Sequence, residues 1–354
     1  MKTTFALSVL TPAREDLMKE VEIATASAGR AGCQESWGAK PISRRDGRPY
    51  SIAVVIPCRN EELSIGRVVT GFQAALPGAV VYVFDNNSTD RTIAVARSAG
   101  AVVRREHLQG KGHVVRRAFA DVEADIYVLV DGDGTYEAAS APAMVDLLVT
   151  DGLDMVIGKR IPQNEAAYRR GHRLGNSLLT GIVRMVFADR ISDMLSGYRA
   201  FSRRYVKSFP AFSVGFETET ELTVHALELH MPLGEIDTAY NERVEGSTSK
   251  LRTIADGMNI LRTIVLLVKE IRPLAFFSAC ATLLLLSGLG LGIPVVMQFM
   301  RIGLVPRFPS AILAMGVVLL SFLSLACGLI LDSVARGRRE TKRFAYLANS
   351  AVAE

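Results

Sequence analysis

The sequence has few of the residues from which nucleic-acid-binding surfaces are commonly built. Aromatic residues make up only 7% of the 354 residues, and no stretch interleaves them with basic residues. Proteins that bind single-stranded nucleic acid need such surfaces, because bases stack on aromatic rings and phosphates attract basic groups. We therefore expect no nucleic-acid partner, although the formal net charge is +5.

Cysteine is also scarce, and its spacing excludes two further classes of protein. The four cysteines, Cys33, Cys58, Cys280 and Cys327, lie far apart. Structural zinc sites need pairs a few residues apart, and disulfide-stabilised domains are short and rich in cysteine. We expect neither, and a reducing compartment around the soluble part is the simpler interpretation.

Between residues 51 and 130 the apolar pattern indicates alternating strands and helices. Short apolar runs at residues 52–56, 80–84, 101–104 and 126–130 predict strands, and the first run stops at Pro57. Each of the first three runs is followed by a polar turn and a segment with helical periodicity. Such alternation predicts a parallel α/β sheet, in which ligands bind beyond the carboxyl ends of the strands.

The fourth predicted strand ends in the most informative turn, Asp131-Gly132-Asp133-Gly134. Two carboxylates one residue apart can face one divalent cation, because glycine permits backbone angles that other residues avoid. Mg²⁺ or Mn²⁺ would suit these oxygen ligands and could hold a diphosphate. A plain surface turn has the same composition, so only the neighbouring motifs favour the metal site.

Two long runs without charge follow, at residues 274–300 and 308–331. Each is longer than the roughly 20 residues that a helix needs to cross a bilayer. Only Arg301 and Arg307 lie in the short loop between them, whereas more basic residues lie outside the pair. By the positive-inside rule we expect two transmembrane helices, with the soluble domain in the cytoplasm. The outer basic residues are Lys269, Arg272, Arg336, Arg338, Arg339, Lys342 and Arg343.

The chain is thus predicted to have five parts. Residues 1–50 are expected to form a poorly ordered extension, and residues 51–250 the α/β domain. Residues 251–272 carry apolar residues every three or four positions, which predicts an amphipathic helix on the membrane surface or packed on the domain. Residues 274–332 hold the membrane helices, and residues 333–354 a basic cytoplasmic tail.

The polar turns carry motifs that resemble those of family 2 glycosyltransferases with the GT-A fold. Further motifs reach to the membrane, and this longer pattern resembles the polyprenyl-phosphate glycosyltransferases. That group includes dolichyl-phosphate mannose synthases and bacterial undecaprenyl-phosphate sugar transferases. The matching motifs lie at residues 56–61, 85–92, 110–112, 131–133, 157–160, 173–177, 193–199, 215–219 and 243–250.

The resemblance implies a metal-dependent, inverting transfer of a hexose from a UDP- or GDP-sugar to a polyprenyl phosphate. Asp131 and Asp133 would hold Mg²⁺ or Mn²⁺ and, together with Arg243, would be the catalytic residues. The residues implied to bind the nucleotide sugar are Pro57, Arg59, Glu61, Asp85, Lys111, Asp131, Gly132, Asp133 and Arg160. Those implied to bind the acceptor phosphate are Arg173, Ser177, Arg243, Ser249 and Lys250.

Several positions leave alternatives open. Lys111 lies between two glycines and can approach a phosphate, although an ordinary helix start has the same pattern. Glu217 and Glu219 could steer the acceptor, act as a base or simply cap a helix. Thr135 stands where mannose synthases of this type carry Gln, and Arg59 stands where an aromatic residue is common.

Two other functions compete with this interpretation. A processive polysaccharide synthase of the same fold is disfavoured, because its Gln-x-x-Arg-Trp motif needs a tryptophan and Trp37, the only one, lies outside the domain. A non-catalytic membrane scaffold that binds nucleotide sugar is disfavoured by the intact Asp131, Asp133, Arg243 and Lys250. A homo-oligomer is compatible with the sequence.

Overall fold

A mixed β-sheet lies at the centre of the chain. The computed structural model describes residues 47–162, 191–215, 217–243, 262 and 265–352. In these residues the sheet has seven strands in the order β3-β2-β1-β4-β6-β5-β7. The strands are β1 Ile52–Cys58, β2 Val80–Asp85, β3 Val102–Arg105, β4 Ile126–Leu129, β5 Met155–Pro162, β6 Arg199–Ser202 and β7 Leu233–Tyr240.

Helices connect and cover the strands. They are α1 Ile65–Ala75, α2 Thr92–Ser98, α3 Lys111–Asp121, α4 Ala141–Thr150, α5 Arg203–Ser208, α6 Thr218–Glu228, α7 Pro273–Ile302 and α8 Phe308–Leu347. The predicted strands β1 to β4 pair in parallel, as the sequence pattern indicates. The sheet becomes mixed at β6, which runs antiparallel to both β4 and β5.

The first strand is longer than the sequence predicts. Proline lacks the N–H group that a central strand needs, so a strand end at Pro57 is the natural expectation. Pairing with β4 has already ended at Val55, whereas pairing with β2 continues to Cys58 opposite Asp85. Pro57 thus lies where β1 has a neighbour on one side only, and the strand is two residues longer than the predicted run at 52–56.

Both faces of the sheet are buried, because its central strands are apolar at consecutive positions. In β4, Tyr127 and Leu129 belong to one core cluster, and Ile126 and Val128 belong to the other. Helices α1 and α4 pack on the second cluster, and α3, α5 and α6 pack on the first. Continuous apolar runs of this kind are typical of strands covered by helices on both sides.

The C-terminal helices α7 and α8 form an antiparallel pair with small residues at its seam. The buried residues at this seam recur every seven positions along each helix, which is the spacing of a left-handed coiled coil. A Cβ at Gly288 would lie 2.7 Å from Val318, and Ser321 donates to the carbonyl of Ala281 at 2.8 Å. The seam residues are Ala281, Gly288, Val295, Ala314, Ser321, Gly328 and Ala335.

Most large apolar side chains of α7 and α8 point outward and are exposed. By length and composition both helices could cross a membrane. Helix α8 is 40 residues long, however, and continues well beyond the apolar run that ends at Leu331. The expected basic tail at 333–354 is therefore largely the last part of this helix.

The end of α8 is helical because it packs on the α/β domain. Lys342 contacts Glu228 at 2.7 Å, and the hydroxyl of Tyr346 donates to Asp154 at 2.8 Å. The guanidinium of Arg204 lies 4.8 Å from the centre of the Tyr346 ring. Of the predicted amphipathic helix at 251–272, only residues 262 and 265–272 are described, and those at 265–271 are helical.

Candidate active site

The carboxyl ends of three parallel strands bring the polar turns to one edge of the sheet. β1, β2 and β4 are neighbours, so their ends lie side by side. β2 ends at Asp85, a buried residue whose carboxylate oxygens each lie 3.3 Å from the amide nitrogen of Ser88. Asp131 and Asp133 follow β4. This edge therefore collects the carboxylates that the sequence assigns to the site.

The turns after β1 and β2 are fastened to each other. The side chain of Asn60 accepts from the amide of Thr89 at 2.8 Å, and the amide of Glu61 donates to Thr92 Oγ1 at 2.8 Å. Glu61 is buried beneath these bonds, whereas Arg59 is exposed and Pro57 is half-buried. The three residues predicted to surround the nucleotide thus lie at the end of β1 and in the braced turn that follows it, beside Asp85.

Gly132 is required by close packing rather than by an unusual backbone angle. A Cβ at this position would overlap the sulfur of Cys58, and Ser64 Oγ donates to the Gly132 carbonyl at 2.7 Å. The left-handed conformation that the sequence suggests is found at Gly134, where φ is 76°. The two glycines therefore serve different purposes in presenting Asp131 and Asp133.

Asp133 is buried and held from two sides. Its Oδ1 accepts from the hydroxyl of Thr135 at 2.7 Å, and its Oδ2 contacts Arg243 at 2.7 Å. Arg243 reaches it because the chain after β7 is tied to the same turn, where the amide of Asn241 donates to the carbonyl of Thr135 at 2.8 Å. Thr135 thus orients Asp133. The resemblance to mannose synthases, which carry Gln at this position, did not suggest this role.

Lys111 bridges two carboxylates at the start of α3. Its ammonium lies 2.5 Å from Asp131 Oδ1 and 2.5 Å from Glu219 Oε1. Burial would lower the pKa of Lys111, but the charges of Asp131 and Glu219 outweigh burial and raise the pKa. Lys111 is therefore a fixed positive charge beside Asp131. Within the described part of the chain, Oε2 of buried Glu219 has no hydrogen-bond partner.

The backbone around Lys111 is held on both sides. A Cβ at Gly110 would overlap the carbonyl oxygen of Val214, and one at Gly112 that of Ser213. From the other side, the Asn86 side chain donates to the carbonyl of Leu108 and accepts from the amide of Gly110, each at 2.7 Å. Sequence reasoning assigned Asn86 no role. Its position directly after a buried strand could have indicated that it lies at the site.

Arg160 is committed to a carboxylate partner. Its Nε and one terminal nitrogen contact the two carboxylate oxygens of Asp193 at 2.8 and 2.7 Å. It also lies 5.7 Å from the centre of the Tyr240 ring. The bidentate pair holds the end of β5 to the chain before β6, which is a structural contact that sequence reasoning did not foresee. Arg173, Ser177, Ser249 and Lys250 lie outside the described residues.

The donor atoms at Asp131 and Asp133 fit a hard divalent cation. In the described ranges, no three His, Cys, Asp or Glu side chains gather into a metal site. Mg²⁺ commonly binds through one or two carboxylates and takes its other ligands from water and substrate phosphates. Two carboxylates therefore suffice for a metal that binds together with a diphosphate.

Comparison with solved structures identifies the class of fold. The chain is similar to glucosyl-3-phosphoglycerate synthase of Mycobacterium tuberculosis, solved with Mn²⁺, UDP-glucose and phosphoglyceric acid. The TM-score is 0.51 and the identity 24%, over 62% of this chain and 79% of the other. The α/β domain thus has the predicted GT-A fold.

Sequence comparison gives the family. The profile of Glycosyl transferase family 2 matches residues 53–209. Glycosyltransferase AglJ of Haloferax volcanii is 32% identical over 294 residues, which cover 82% of this chain and 96% of AglJ. The dolichyl-phosphate hexose transferase of the same organism is 30% identical over 221 residues, covering 62% and 95%. The chain belongs to glycosyl transferase family 2, as its motifs predict.

Proposed function

We propose that this glycosyltransferase moves a hexose from a nucleotide sugar to a polyprenyl phosphate at the cytoplasmic face of a membrane. One observation carries the proposal. Asp131 and Asp133 each pair with a basic side chain at the rim of the GT-A sheet, which is the edge formed by the carboxyl ends of β1, β2 and β4. The same chain continues into two long apolar helices. The printed name of the dolichyl-phosphate hexose transferase relative supports the same acceptor class.

The chemistry needs a leaving group that can be stabilised rather than a strong base. The anomeric C–O bond to the nucleoside diphosphate breaks, and a new bond forms to an oxygen of the lipid phosphate, with inversion at that carbon. A phosphate monoester has a second pKa of about 6, so at neutral pH it is already largely a dianion. Its oxygen can therefore attack without losing a proton to the protein.

The residues at the rim meet the charge that two anionic substrates bring. A divalent cation, when bound at Asp131 and Asp133, would neutralise the diphosphate of the donor. Lys111 contributes a permanent positive charge next to Asp131, and Arg243 can bind a phosphate with its planar guanidinium. We assign Lys111 to the donor diphosphate and Arg243 to the acceptor phosphate.

The arrangement of the chain favours a lipid acceptor over a soluble one. Helix α8 ends against Glu228 and Asp154 of the transferase domain, so the domain is attached to the apolar pair by direct contacts. More basic residues flank the pair than lie in its loop, which supports a cytoplasmic domain. There, nucleotide sugars from the cytosol and lipid phosphates from the bilayer could meet.

The decisive experiment is a turnover assay with the full chain in membranes. Polyprenyl phosphate, Mg²⁺ or Mn²⁺ and a panel of UDP- and GDP-sugars are supplied, and lipid products are identified by mass. We expect one hexosyl phospholipid, lost with EDTA and restored by excess metal. Release of sugar polymer would indicate a synthase. Binding of nucleotide sugar without release of nucleoside diphosphate would indicate a scaffold.

A further inference from the structure

The loop formed by Phe212, Ser213, Val214 and Gly215 presents apolar side chains to solvent next to the active site. Phe212 is 76% exposed and Val214 is 46% exposed, and Leu108, two residues before Gly110, is 55% exposed. We propose that this 212–215 loop is a second membrane contact of the transferase domain, which binds the hydrocarbon of the bilayer surface. The inference rests on the proposed insertion of α7 and α8.

The loop is held firmly enough to present its side chains in one direction. The amides of Phe212 and Ser213 each donate to Glu221 at 2.8 Å, and those of Val214 and Gly215 donate to Glu217 at 3.2 and 3.0 Å. Four successive amides are thus bound by two carboxylates at the start of α6. A rigid apolar loop loses little conformational entropy when it enters a membrane.

The helix that leads into the loop lies beside the end of α8. At the start of α5, Arg204 lies against Tyr346. At its end, Ser208 lies 3.0 Å from His225, which is three residues before the Glu228 that Lys342 contacts. The chain that leads into the loop is therefore anchored beside the helix that continues from the apolar run.

The loop is also continuous with the packing beside the first long helix. Phe209 and Ala211 belong to the same buried cluster as Ile271, and Leu267 and Val268 pack against that cluster. Ile271 is two residues before the start of α7 at Pro273. The residue that precedes Phe212 and the residue near the base of α7 therefore belong to one buried cluster.

The other side of the loop contacts the active site. The carbonyl of Val214 accepts from the amide of Gly112 at 2.9 Å, and the loop backbone lies against both glycines that flank Lys111. A loop that contacts lipid would therefore bring the rim with Lys111 and Asp131 to the headgroup level. An acceptor phosphate could then reach the donor without leaving the bilayer.

The test places a fluorescent reporter at the tip of the loop in the full-length protein. Phe212→Trp is made in a Trp37→Phe background and reconstituted in nanodiscs whose lipids carry bromine near the headgroup end of the acyl chains. The matched control is Val80→Trp, because Val80 is 44% exposed at the opposite end of the strands. We expect the indole at position 212 to lose most of its emission to bromine and that at position 80 to keep it.

A second measurement links the contact to turnover. Phe212→Ser should raise the KM for a bilayer-embedded acceptor about tenfold, because it removes the apolar side chain that enters the bilayer. It should leave the KM for a short, water-soluble acceptor unchanged. Equal bromine quenching at positions 212 and 80 would overturn the proposal. Emission at position 212 that changes with protein concentration but not with bromine would overturn it too, in favour of contact with a second copy. Because quenching needs no turnover, failure of the proposed reaction would be seen separately.

Discussion

The rim of the sheet and the end of α8 both bury carboxylates beside cations, yet they differ in how completely those carboxylates are bonded. At the end of α8, Asp154 accepts from Ser202, twice from Arg204, and from Tyr346. At the rim, Asp131 is bonded by Lys111, and Oε2 of Glu219 has no partner within the described residues.

This difference separates a structural cluster from a binding site. A fully bonded buried carboxylate stabilises one arrangement, because removing any partner leaves a charge without compensation. A buried carboxylate with unused lone pairs can exchange a protein partner for a metal or a substrate. We therefore expect changes at the rim to affect turnover and changes at Asp154 to affect folding.

The largest expected effect is at the rim. Asp131→Asn keeps the shape of the side chain and removes its charge, so we expect the hexosyl transfer rate to fall about 10³-fold. We expect little change in the thermal midpoint, because Lys111 keeps Glu219 as a partner. The control is Asp151→Asn at an exposed turn, which should retain full activity. Near-normal turnover of the Asp131 variant would show that the metal assignment is wrong.

The matching change at the end of α8 should lower the stability of the fold and leave substrate binding unchanged. Asp154→Asn removes a fully buried charge that compensates the partly buried Arg204, and we expect the free energy of unfolding to fall by about 3 kcal/mol. Denaturant unfolding in detergent measures it, with Asp237→Asn as control because Asp237 is 68% exposed. The folded fraction should keep its KM values. A loss of turnover without a loss of stability would contradict the structural role assigned to Asp154.

His225, next to the α8 contact, should make folding sensitive to acid. Burial, reinforced by the charge of Lys342, lowers the pKa of His225 to about 3 from its ordinary 6.5. Below pH 6.5 the unfolded chain binds a proton that the folded chain does not, so stability decreases as the pH falls through this range. We expect a loss of about 2 kcal/mol between pH 6.5 and 5. His225→Gln should flatten this dependence of the unfolding midpoint on pH, and an unchanged slope would contradict the assignment.

The smallest expected effect concerns the geometry of Arg243. Arg243→Lys keeps the charge but loses the planar fork, so we expect the KM for polyprenyl phosphate to rise about tenfold while the KM for nucleotide sugar changes little. Arg67→Lys on the exposed face of α1 is the control. Equal effects on both substrates would place Arg243 on the donor side.

The sequence predicted which residues lie at the edge of the sheet better than it predicted the contacts between their side chains. Alternating apolar runs sufficed to predict β1 to β4 and the position of Asp85, Asp131 and Asp133 beyond them. The antiparallel β6 was not predicted, because its four residues carry no distinct period. The pairing of Arg160 with Asp193 depends on a contact between distant parts of the chain, which local spacing does not encode.

Two other features required the folded structure for similar reasons. Arg199 is fully buried and donates to the carbonyls of Met194 and Ser196, although an isolated arginine in a sequence suggests an exposed residue. Gly132 was expected to supply a flexible backbone, yet its role depends on Cys58 of another strand. The roles in substrate binding of Asp85, Lys111 and Arg243 stay predictions.

Under the proposed function, the continuity of α8 makes the thickness of the bilayer a variable of the reaction. Its 40 residues span about 60 Å and run without a break from the apolar segment to the contacts with Glu228 and Asp154. Such a rod transmits displacement rather than absorbing it. A bilayer thicker or thinner by a few ångströms costs only fractions of a kcal/mol per ångström, and would shift or tilt Lys111 and Arg243 relative to the lipid phosphates.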